Sequence, residues 1–425
     1  MVTQAQTGRQ GGSFAELTRT FAGTVEDPYP VYREKRRAGG VMRGDILDEF
    51  GVPSRANAAG GQRDVFTFLS YDAVQQGLLD AKTFSSSILM ESLGKFLGRI
   101  ITGQDGEEHR VTRGLFAPAF NPAALRQWRE DVIVPVIRRD FIDRLKPAGR
   151  ADLLSEFALG FPIRIIYGVI GFPKDEEKIE QFADWALRIL TGPQIDPKKD
   201  AEARAAAFEA VVALKAHLLP IVEQRRKEDK PGPDLIRRLL EVEFEGRKLS
   251  DEEVVNFILT LLPAAAETTT RSFSNLLALL LQRPALYEQV RQDRSLIPGA
   301  ILETMRMETP ASFLARVTTR EVEVDGVVIP ENSAISMAVG AANHDESVFA
   351  DPEDFQIGRK ARPALGFGYG PHMCLGMPVA KMEMEVALNL LFDGLPNLRI
   401  DPDVDPPVIT GVHFRGPPAL PMLWD

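Results

Sequence analysis

The feature that most limits how this chain can fold is a long apolar segment that ends near residue 281. Ser250 is a favourable N-cap, and Glu253 completes a capping box, so we predict that a helix of roughly 30 residues begins there. The segment is apolar on nearly every side. Such a helix needs other elements around it, so the sequence predicts a large core built around one central helix.

A patch of small and polar residues interrupts this helix between positions 263 and 270. Alanines open space there, whereas a buried Glu267 and Thr268 cost free energy unless they have partners. Pro263 is expected to kink the helix at the same place. From the residues alone, the patch fits chance and a functional site equally well.

The second informative stretch is the loop around Cys374, the only cysteine in the chain. Glycines at positions 366, 368, 370 and 376 let the backbone lie flat against a planar ligand. An apolar helical pattern follows, and a helix N-terminus favours a thiolate. A lone cysteine is often an inert buried side chain, and it cannot complete a tetrahedral zinc site. A single thiolate does suffice as the axial ligand of haem iron.

The spacing Phe-x-x-Gly-x-x-x-Cys-x-Gly resembles the haem-binding signature of the cytochrome P-450 family, and it is formed by Phe367, Gly370, Cys374 and Gly376. This resemblance implies haem b (iron protoporphyrin IX) with the Cys374 thiolate as axial ligand. It also implies a mainly α fold with small β-sheets, in which the haem lies between the long central helix and the helix after the cysteine. We expect one domain over residues 25–425, after a flexible segment at 1–24.

Further residues match the family's haem contacts. His109 and Arg113 stand one helical turn apart, and Arg316 and His372 follow later in the chain. Each has an ordinary explanation, such as a solvated helix pair or an exposed strand arginine. By resemblance they bind the haem propionates through charge-assisted hydrogen bonds. The same resemblance places four more residues against the haem: Phe367, Gly368, Ala264 and Ala265.

The patch in the central helix resembles the family's oxygen-binding pattern. Thr268 corresponds to the hydroxyl beside bound dioxygen, and Glu267 to the acid that relays protons from solvent. Ala265 stands where the family usually has glycine, which leaves the width of the oxygen pocket open.

Glu303 and Arg306 resemble the family's Glu-x-x-Arg core pair. The arginine that often completes this network is replaced by Asp354, and both His344 and Arg359 are candidates for its role.

The substrate pocket is expected to be apolar. The stretch 84–101 lacks a clean period and fits a covering loop packed on the core, whereas by resemblance it lies over the haem. The predicted pocket residues are Leu89, Met90, Phe96, Ser312, Phe313 and Leu314.

The resemblance implies a haem-thiolate monooxygenase, and the apolar stretch 88–101 indicates an apolar substrate such as a terpenoid, steroid, fatty acid or aromatic. The chain has no nucleotide or flavin fingerprint and no iron-sulfur cysteines. By resemblance, electrons come from a ferredoxin and its NAD(P)H-dependent reductase, docking near the Cys374 loop beside Arg110, Arg126 and Arg129. Two alternatives stay open: a peroxide-driven peroxygenase, and a non-catalytic protein that binds haem or a hydrophobic ligand.

Composition and charge argue against several other classes of protein. A net charge of -10 argues against general nucleic-acid binding. No signal peptide is evident, and no run of about 20 uninterrupted apolar residues could anchor the chain in a bilayer. We therefore expect a cytoplasmic protein, and within the resembled family this is typical of the soluble bacterial type.

The remaining elements follow from periodicity and turn residues. Helices are predicted at 27–37, 71–79, 123–145, 152–169, 175–190, 200–228 and 234–242, and strands at 64–70, 311–318 and 334–339, with a hairpin turn at 325–326.

Overall fold

The long apolar segment forms one unbroken helix, Asp251–Leu281, in a computed structural model that describes residues 23–52, 63–172, 175–190, 197–228 and 232–425. The Ser250 side chain accepts from the Glu253 backbone N–H, and the Glu253 carboxylate accepts from the Ser250 N–H at 2.9 Å. The predicted capping box is therefore confirmed. Pro263 lies inside the helix without ending it.

Helices make up most of the described chain. In order they are α1 Tyr29–Ala38, α2 Tyr71–Leu79, α3 Ile88–Ser92, α4 Gly94–Leu97, α5 Gly106–Phe116, α6 Pro122–Trp128, α7 Val134–Val136, α8 Asp143–Leu145, α9 Phe161–Ile170, α10 Glu176–Leu190, α11 Pro197–Lys227, α12 Leu235–Glu241, α13 Asp251–Leu281, α14 Pro284–Gln292, α15 Ile297–Met307, α16 Val339–Ala342 and α17 Met377–Gly394.

The strands are short. They are β1 Val41–Arg43, β2 Val65–Phe68, β3 Phe84–Ser85, β4 Arg150–Asp152, β5 Glu243–Phe244, β6 Arg247–Lys248, β7 Phe313–Thr318, β8 Val322–Val324, β9 Val327–Ile329, β10 Ala334–Ala338, β11 Arg399–Ile400 and β12 Pro421–Leu423.

The largest sheet has the strand order β1-β2-β10-β7-β3. β2 and β10 pair in parallel, and β7 pairs antiparallel with β10, which sets Arg316 opposite Ile335. A smaller sheet has the order β11-β12-β4. The β8–β9 hairpin turns through Asp325 and Gly326, both with positive φ, as an Asp-Gly turn requires.

Most predicted elements are present, with differences at their ends. The expected covering loop at 84–101 contains β3, α3 and α4. The stretch 122–145 is continuously helical because the π-helical turns Arg129–Ile133 and Ile137–Ile142 join α6, α7 and α8. The helix predicted at 152–169 instead begins as a π-helix, Leu154–Ala158, and continues as α9. Residues 1–22 lie outside the described chain, so the boundary of the N-terminal segment stays a prediction.

The main core surrounds α13, which packs against α9, α11, α15 and α17. Helix α11 contributes Leu214, Leu218 and Val222 to this core. Residues Ala201–Lys227 of α11 are also long and apolar enough to cross a membrane. That is weak evidence for a span, since the core helix of a soluble protein passes the same test.

Candidate functional site

The loop before α17 is closed by its own backbone. The Cys374 N–H donates to the Phe367 carbonyl at 2.8 Å, and the Gly368 N–H donates to the Leu365 carbonyl at 2.8 Å. Gly368 and Gly370 have φ values of 72° and 70°, a region that favours glycine. A Cβ on Gly366 would lie 2.5 Å from the Met305 carbonyl oxygen. The glycines therefore fix the shape of the loop and its close contact with α15.

The Cys374 thiol is exposed on one side and surrounded by protein on the others. Burial raises the pKa of the thiol, whereas the backbone N–H groups of Gly376 and Met377 and the charge of Arg113 act in the opposite direction. A bound metal ion would favour the thiolate further, because metal ligation requires deprotonation. The thiol stands just before the first turn of α17, as predicted.

The four predicted cationic residues lie together beside this loop. The ring centroids of His109 and His372 are 4.0 Å apart. Arg113 donates to the Met373 carbonyl at 2.7 Å. Burial lowers the pKa of His109 to about 4, and the charges of His372, Arg113 and Arg316 lower it too.

Arg316 reaches the cluster from β7, where its side chain is buried. Burial lowers the pKa of its guanidinium to about 10, and Asp105 opposes this effect. The buried His109 Nε2 atom has no hydrogen-bond partner among the described residues. Excess positive charge together with an unpartnered polar atom favours an anionic ligand here.

Asp105 is a member of this cluster that the sequence analysis missed. Its carboxylate accepts from Ser85 Oγ at 2.6 Å and from the Ser86 N–H at 2.9 Å, and it lies 3.3 Å from His372 Nε2. Burial alone would raise the pKa of Asp105, but these hydrogen bonds hold it below its ordinary value. The available signal was its place immediately before α5. A cavity of about 1060 Å³ opens beside the cluster, lined by Asp105, His109, Arg113 and His372 among others.

The polar patch of α13 lies on a more open part of the central helix. Ala264 is exposed and Thr268 is half-buried, although the surrounding helix is in the core. The Thr268 hydroxyl donates to the Ala264 carbonyl at 2.7 Å. Glu267 is buried, and Arg271 donates to its Oε1 atom from Nε at 2.8 Å and from Nη2 at 2.6 Å. Sequence reasoning missed Arg271, although its i,i+4 spacing from Glu267 was a signal.

The Glu303–Arg306 pair is buried, with N–O distances of 3.0 and 2.8 Å. Of the two candidates for its third member, Arg359 makes the contact, because its Nε donates to Glu303 Oε1 at 3.1 Å. His344 instead stacks on Tyr29, with ring centroids 3.7 Å apart.

The predicted substrate residues divide into two groups. Leu89, Met90 and Leu314 are half-buried. Ser312 is fully buried and its hydroxyl donates to the Thr309 carbonyl at 3.0 Å, while Phe313 packs in the core cluster that contains Tyr32.

The side chains of Ser312 and Phe313 are therefore occupied within the packed core, so the structure gives no support to their facing a substrate. The side chain of Phe96 lies outside the described residues.

A small apolar cluster formed by Phe414, Leu187 and Ala311 was not predicted from the sequence.

The donor set fits haem better than a bare metal ion. Among the described residues, no group of three or more His, Cys, Asp or Glu side chains could hold an ion. One open thiol, a cationic cluster for carboxylates and small residues on α13 suit a planar group that carries its own iron and an anionic edge.

Comparisons with known proteins support the same conclusion. The family description "Cytochrome P450" matches residues 57–411. The putative cytochrome P450 YjiB of Bacillus subtilis is 32% identical over 375 residues, covering 87% of this chain and 88% of that protein. Erythromycin C-12 hydroxylase of Saccharopolyspora erythraea is 34% identical over 335 residues, covering 78% and 82%.

Among solved structures, CYP109E1 from Bacillus megaterium in complex with testosterone superposes with a TM-score of 0.80 at 26% identity, covering 94% of this chain and 99% of that chain. The predicted fold class is thereby confirmed. The chain belongs to the cytochrome P450 family, whose members are monooxygenases that hold haem through a cysteine thiolate.

Proposed function

We propose that this protein inserts one oxygen atom of dioxygen into a hydrophobic small molecule, with Cys374 as the haem ligand. The observation that carries the proposal is the open thiol of the only cysteine, beside a cationic cluster that lacks enough internal anions. Residues 25–425 form the domain that does this.

The cationic cluster binds the two haem propionates. His109, Arg113, Arg316 and His372 supply the donors, and the unpartnered His109 Nε2 gains a partner. Because propionate charge favours the protonated imidazole, binding raises the pKa of His109 from its low value. Phe367 and Gly368 of the Cys374 loop and Ala264 and Ala265 of α13 would contact the haem.

When bound, the haem supplies the chemistry that activates dioxygen and oxidises the substrate. The chain's part is to deliver protons. The Thr268 hydroxyl donates its proton to the Ala264 carbonyl in this structure. It can therefore take part in proton delivery either by accepting a hydrogen bond at Oγ or by rotating its O–H away from Ala264 to donate elsewhere. Glu267 is the buried acid beside it and replaces the protons that are consumed.

The substrate is a hydrophobic molecule such as a terpenoid, steroid, fatty acid or aromatic. Leu89, Met90 and Leu314 are half-buried apolar side chains that leave apolar surface for such a ligand. Leu187 and Ala311, which are partly buried beside Phe414, add to this apolar surface. Hydrophobic burial, with few polar contacts, is what selects a substrate of this kind.

Electrons come from a ferredoxin and its NAD(P)H-dependent reductase, in the cytoplasm of a bacterial cell. Arg126 and Arg129 are exposed and available to an acidic partner. Arg110 is already paired with Glu107 at 2.6 Å and with Glu245 at 2.8 Å, so it contributes less.

The test measures product and peroxide together, using a substrate found by its spin-state shift. Thr268→Ala is compared with Thr260→Ala, a matched control whose hydroxyl makes the same bond to the carbonyl four residues earlier, at 2.9 Å. We expect only Thr268→Ala to divert reducing equivalents into peroxide. Equal diversion in both variants, or none in either, contradicts the role given to Thr268.

Two further assays separate the alternative functions. A peroxygenase would form product from peroxide alone at the full rate, without ferredoxin and reductase. A haem-binding protein without catalysis would form no product under either condition.

A further inference from the structure

The acid of α13 has an unusual partner on its own helix. Arg271 lies one turn after Glu267, and both side chains are almost completely buried, with exposed fractions of 1% and 4%. Two N–H groups of Arg271 donate to the same carboxylate oxygen, Oε1. The second oxygen, Oε2, is buried and has no hydrogen-bond partner within the described chain. The two oxygens of one acid therefore differ in role.

The C-terminal segment holds Arg271 in place. Its guanidinium lies over the Phe414 ring, 5.5 Å from the ring centroid. Gly416 lies against the same side chain, since a Cβ there would be 3.3 Å from Arg271 Cγ and 3.4 Å from Nη1. Thr410 pairs with Gly416, which closes the segment around the arginine. The position of Arg271 is thus determined by elements far from it in sequence.

We infer that Arg271 is the positioning residue of the proton relay: it fixes Glu267 through Oε1 and leaves Oε2 as the oxygen that carries the proton. This inference rests on the proposed function of Glu267. In the step, the Oε2–H bond breaks and the proton passes to a water molecule, or to Thr268 Oγ while the Thr268 O–H bond breaks and its proton passes to a water molecule on the other side. The electron pair stays on the carboxylate, whose charge the guanidinium neutralises. A proton from solvent then restores the acid.

The arrangement limits the motion of Glu267, because a carboxylate that leaves Arg271 would abandon a buried charge. Arg271 thus couples the orientation of the acid to the C-terminal segment that carries Phe414.

The main experiment is a double-mutant cycle on the haem-loaded enzyme, with Arg271→Gln, Glu267→Gln and the double variant. The readouts are the rate of coupled product formation, the peroxide fraction and the solvent deuterium isotope effect on kcat. We expect Arg271→Gln to lower coupled product formation by about tenfold or more, since small displacements of a catalytic group are costly. It should also enlarge the isotope effect. In the Glu267→Gln background it should change neither quantity.

Three more variants guard against a merely structural effect. Arg271→Lys keeps the charge and should restore part of the coupling. Gly416→Ala displaces Arg271 without removing it and should produce a milder version of the same defect. Arg283→Gln is the matched control, since this half-buried arginine follows α13 and donates to Leu279 instead. It should leave the peroxide fraction unchanged.

The outcomes separate this inference from the proposed function. If Glu267→Gln itself leaves the peroxide fraction unchanged, the relay and the inference both fall. If Glu267→Gln uncouples the enzyme but Arg271→Gln and Gly416→Ala do not, the relay stands and only the role of Arg271 is refuted. If Arg271→Gln lowers coupled product formation equally in the native and the Glu267→Gln backgrounds, the role of Arg271 is also refuted.

Urea unfolding provides a readout that does not depend on turnover. Arg271→Gln should lower the unfolding midpoint more in the native background than in Glu267→Gln, where no buried carboxylate is left unpaired. Equal decreases would show that the two side chains are not coupled and would overturn the inference.

Discussion

Replacing Glu303 by Gln should destabilise the protein far more than its sequence spacing suggests. Glu303 accepts from Arg306 on its own helix, from Arg359 at 3.1 Å and from the Gln356 N–H at 3.1 Å. The side chains of both arginines are largely buried, at 2% and 8% exposed. The substitution therefore leaves two buried positive charges without their shared carboxylate.

The expected loss follows from this burial. Removing one partner of a buried ion pair costs about 3 to 5 kcal/mol. For a chain of 425 residues the entropy of unfolding is about 0.9 kcal/mol/K, so each kcal/mol corresponds to about 1 °C and the melting temperature should fall by about 3 to 6 °C. The other contacts of Arg306, to the carbonyls of Asn343 at 3.0 Å and Asp354 at 3.3 Å, moderate the loss without removing it.

The matched control is Glu288→Gln on α14. Glu288 pairs with Arg291 at the same i,i+3 spacing and at 2.6 Å, but both side chains are 43% exposed. Water screens that pair, so its loss should be much smaller. Thermal and urea unfolding of both variants provide the measurement. Similar losses in the two variants would refute the reasoning that burial makes the Glu303 network structural.

Three further predictions concern the haem site and the response to pH. Arg316→Gln should speed haem transfer to apomyoglobin by about tenfold to a hundredfold, which corresponds to the free energy of one charge-assisted hydrogen bond. Arg320→Gln, a nearby control, should leave the transfer rate unchanged. Equal transfer rates in the two variants would contradict the role of Arg316 in binding a propionate. Gly366→Ala should prevent normal haem incorporation because its Cβ would lie 2.5 Å from the Met305 carbonyl oxygen, and a normal absorption spectrum would contradict this. Burial lowers the pKa of His344 to about 3, so below a pH of about 6.5 the unfolded chain binds a proton that the folded chain excludes, and the free energy of unfolding falls as the pH drops. His344→Phe should make this fall shallower in urea titrations at several pH values. An unchanged pH dependence would contradict the assignment to His344.

Local signals in the sequence were sufficient to predict the central helix and the Cys374 loop, which lie on either side of the site. The capping box at Ser250 is present because it depends on residues close in sequence. The glycines around Cys374 predicted a tight loop before a helix for the same reason, since positive φ at Gly368 and Gly370 is a local requirement.

Contacts between distant segments could not be predicted in the same way. The choice between His344 and Arg359 depended on how the chain around Asp351 and Asp354 folds back, where Arg359 donates to both carbonyls. The side chain of Phe313 was expected to face substrate, but it packs in a core cluster with Tyr32. Sequence periodicity does not identify which face of a short strand is covered when both faces are buried.

The pairing of Arg271 with Glu267 shows the same limit within one helix. An i,i+4 pair can form in any helix, but only the packing of the Phe414 segment shows that this one is buried. Asp105 likewise looked like an ordinary residue ahead of a helix, and its contact with His372 depends on two distant segments.

The central claim is that Cys374 binds haem iron as a thiolate. The most direct measurement is the optical spectrum of the purified protein reduced with dithionite under carbon monoxide, beside a Cys374→Ala variant. We expect a strongly red-shifted Soret band that disappears in the variant. A folded, haem-supplemented protein without this band, or a band that survives the substitution, would contradict the account.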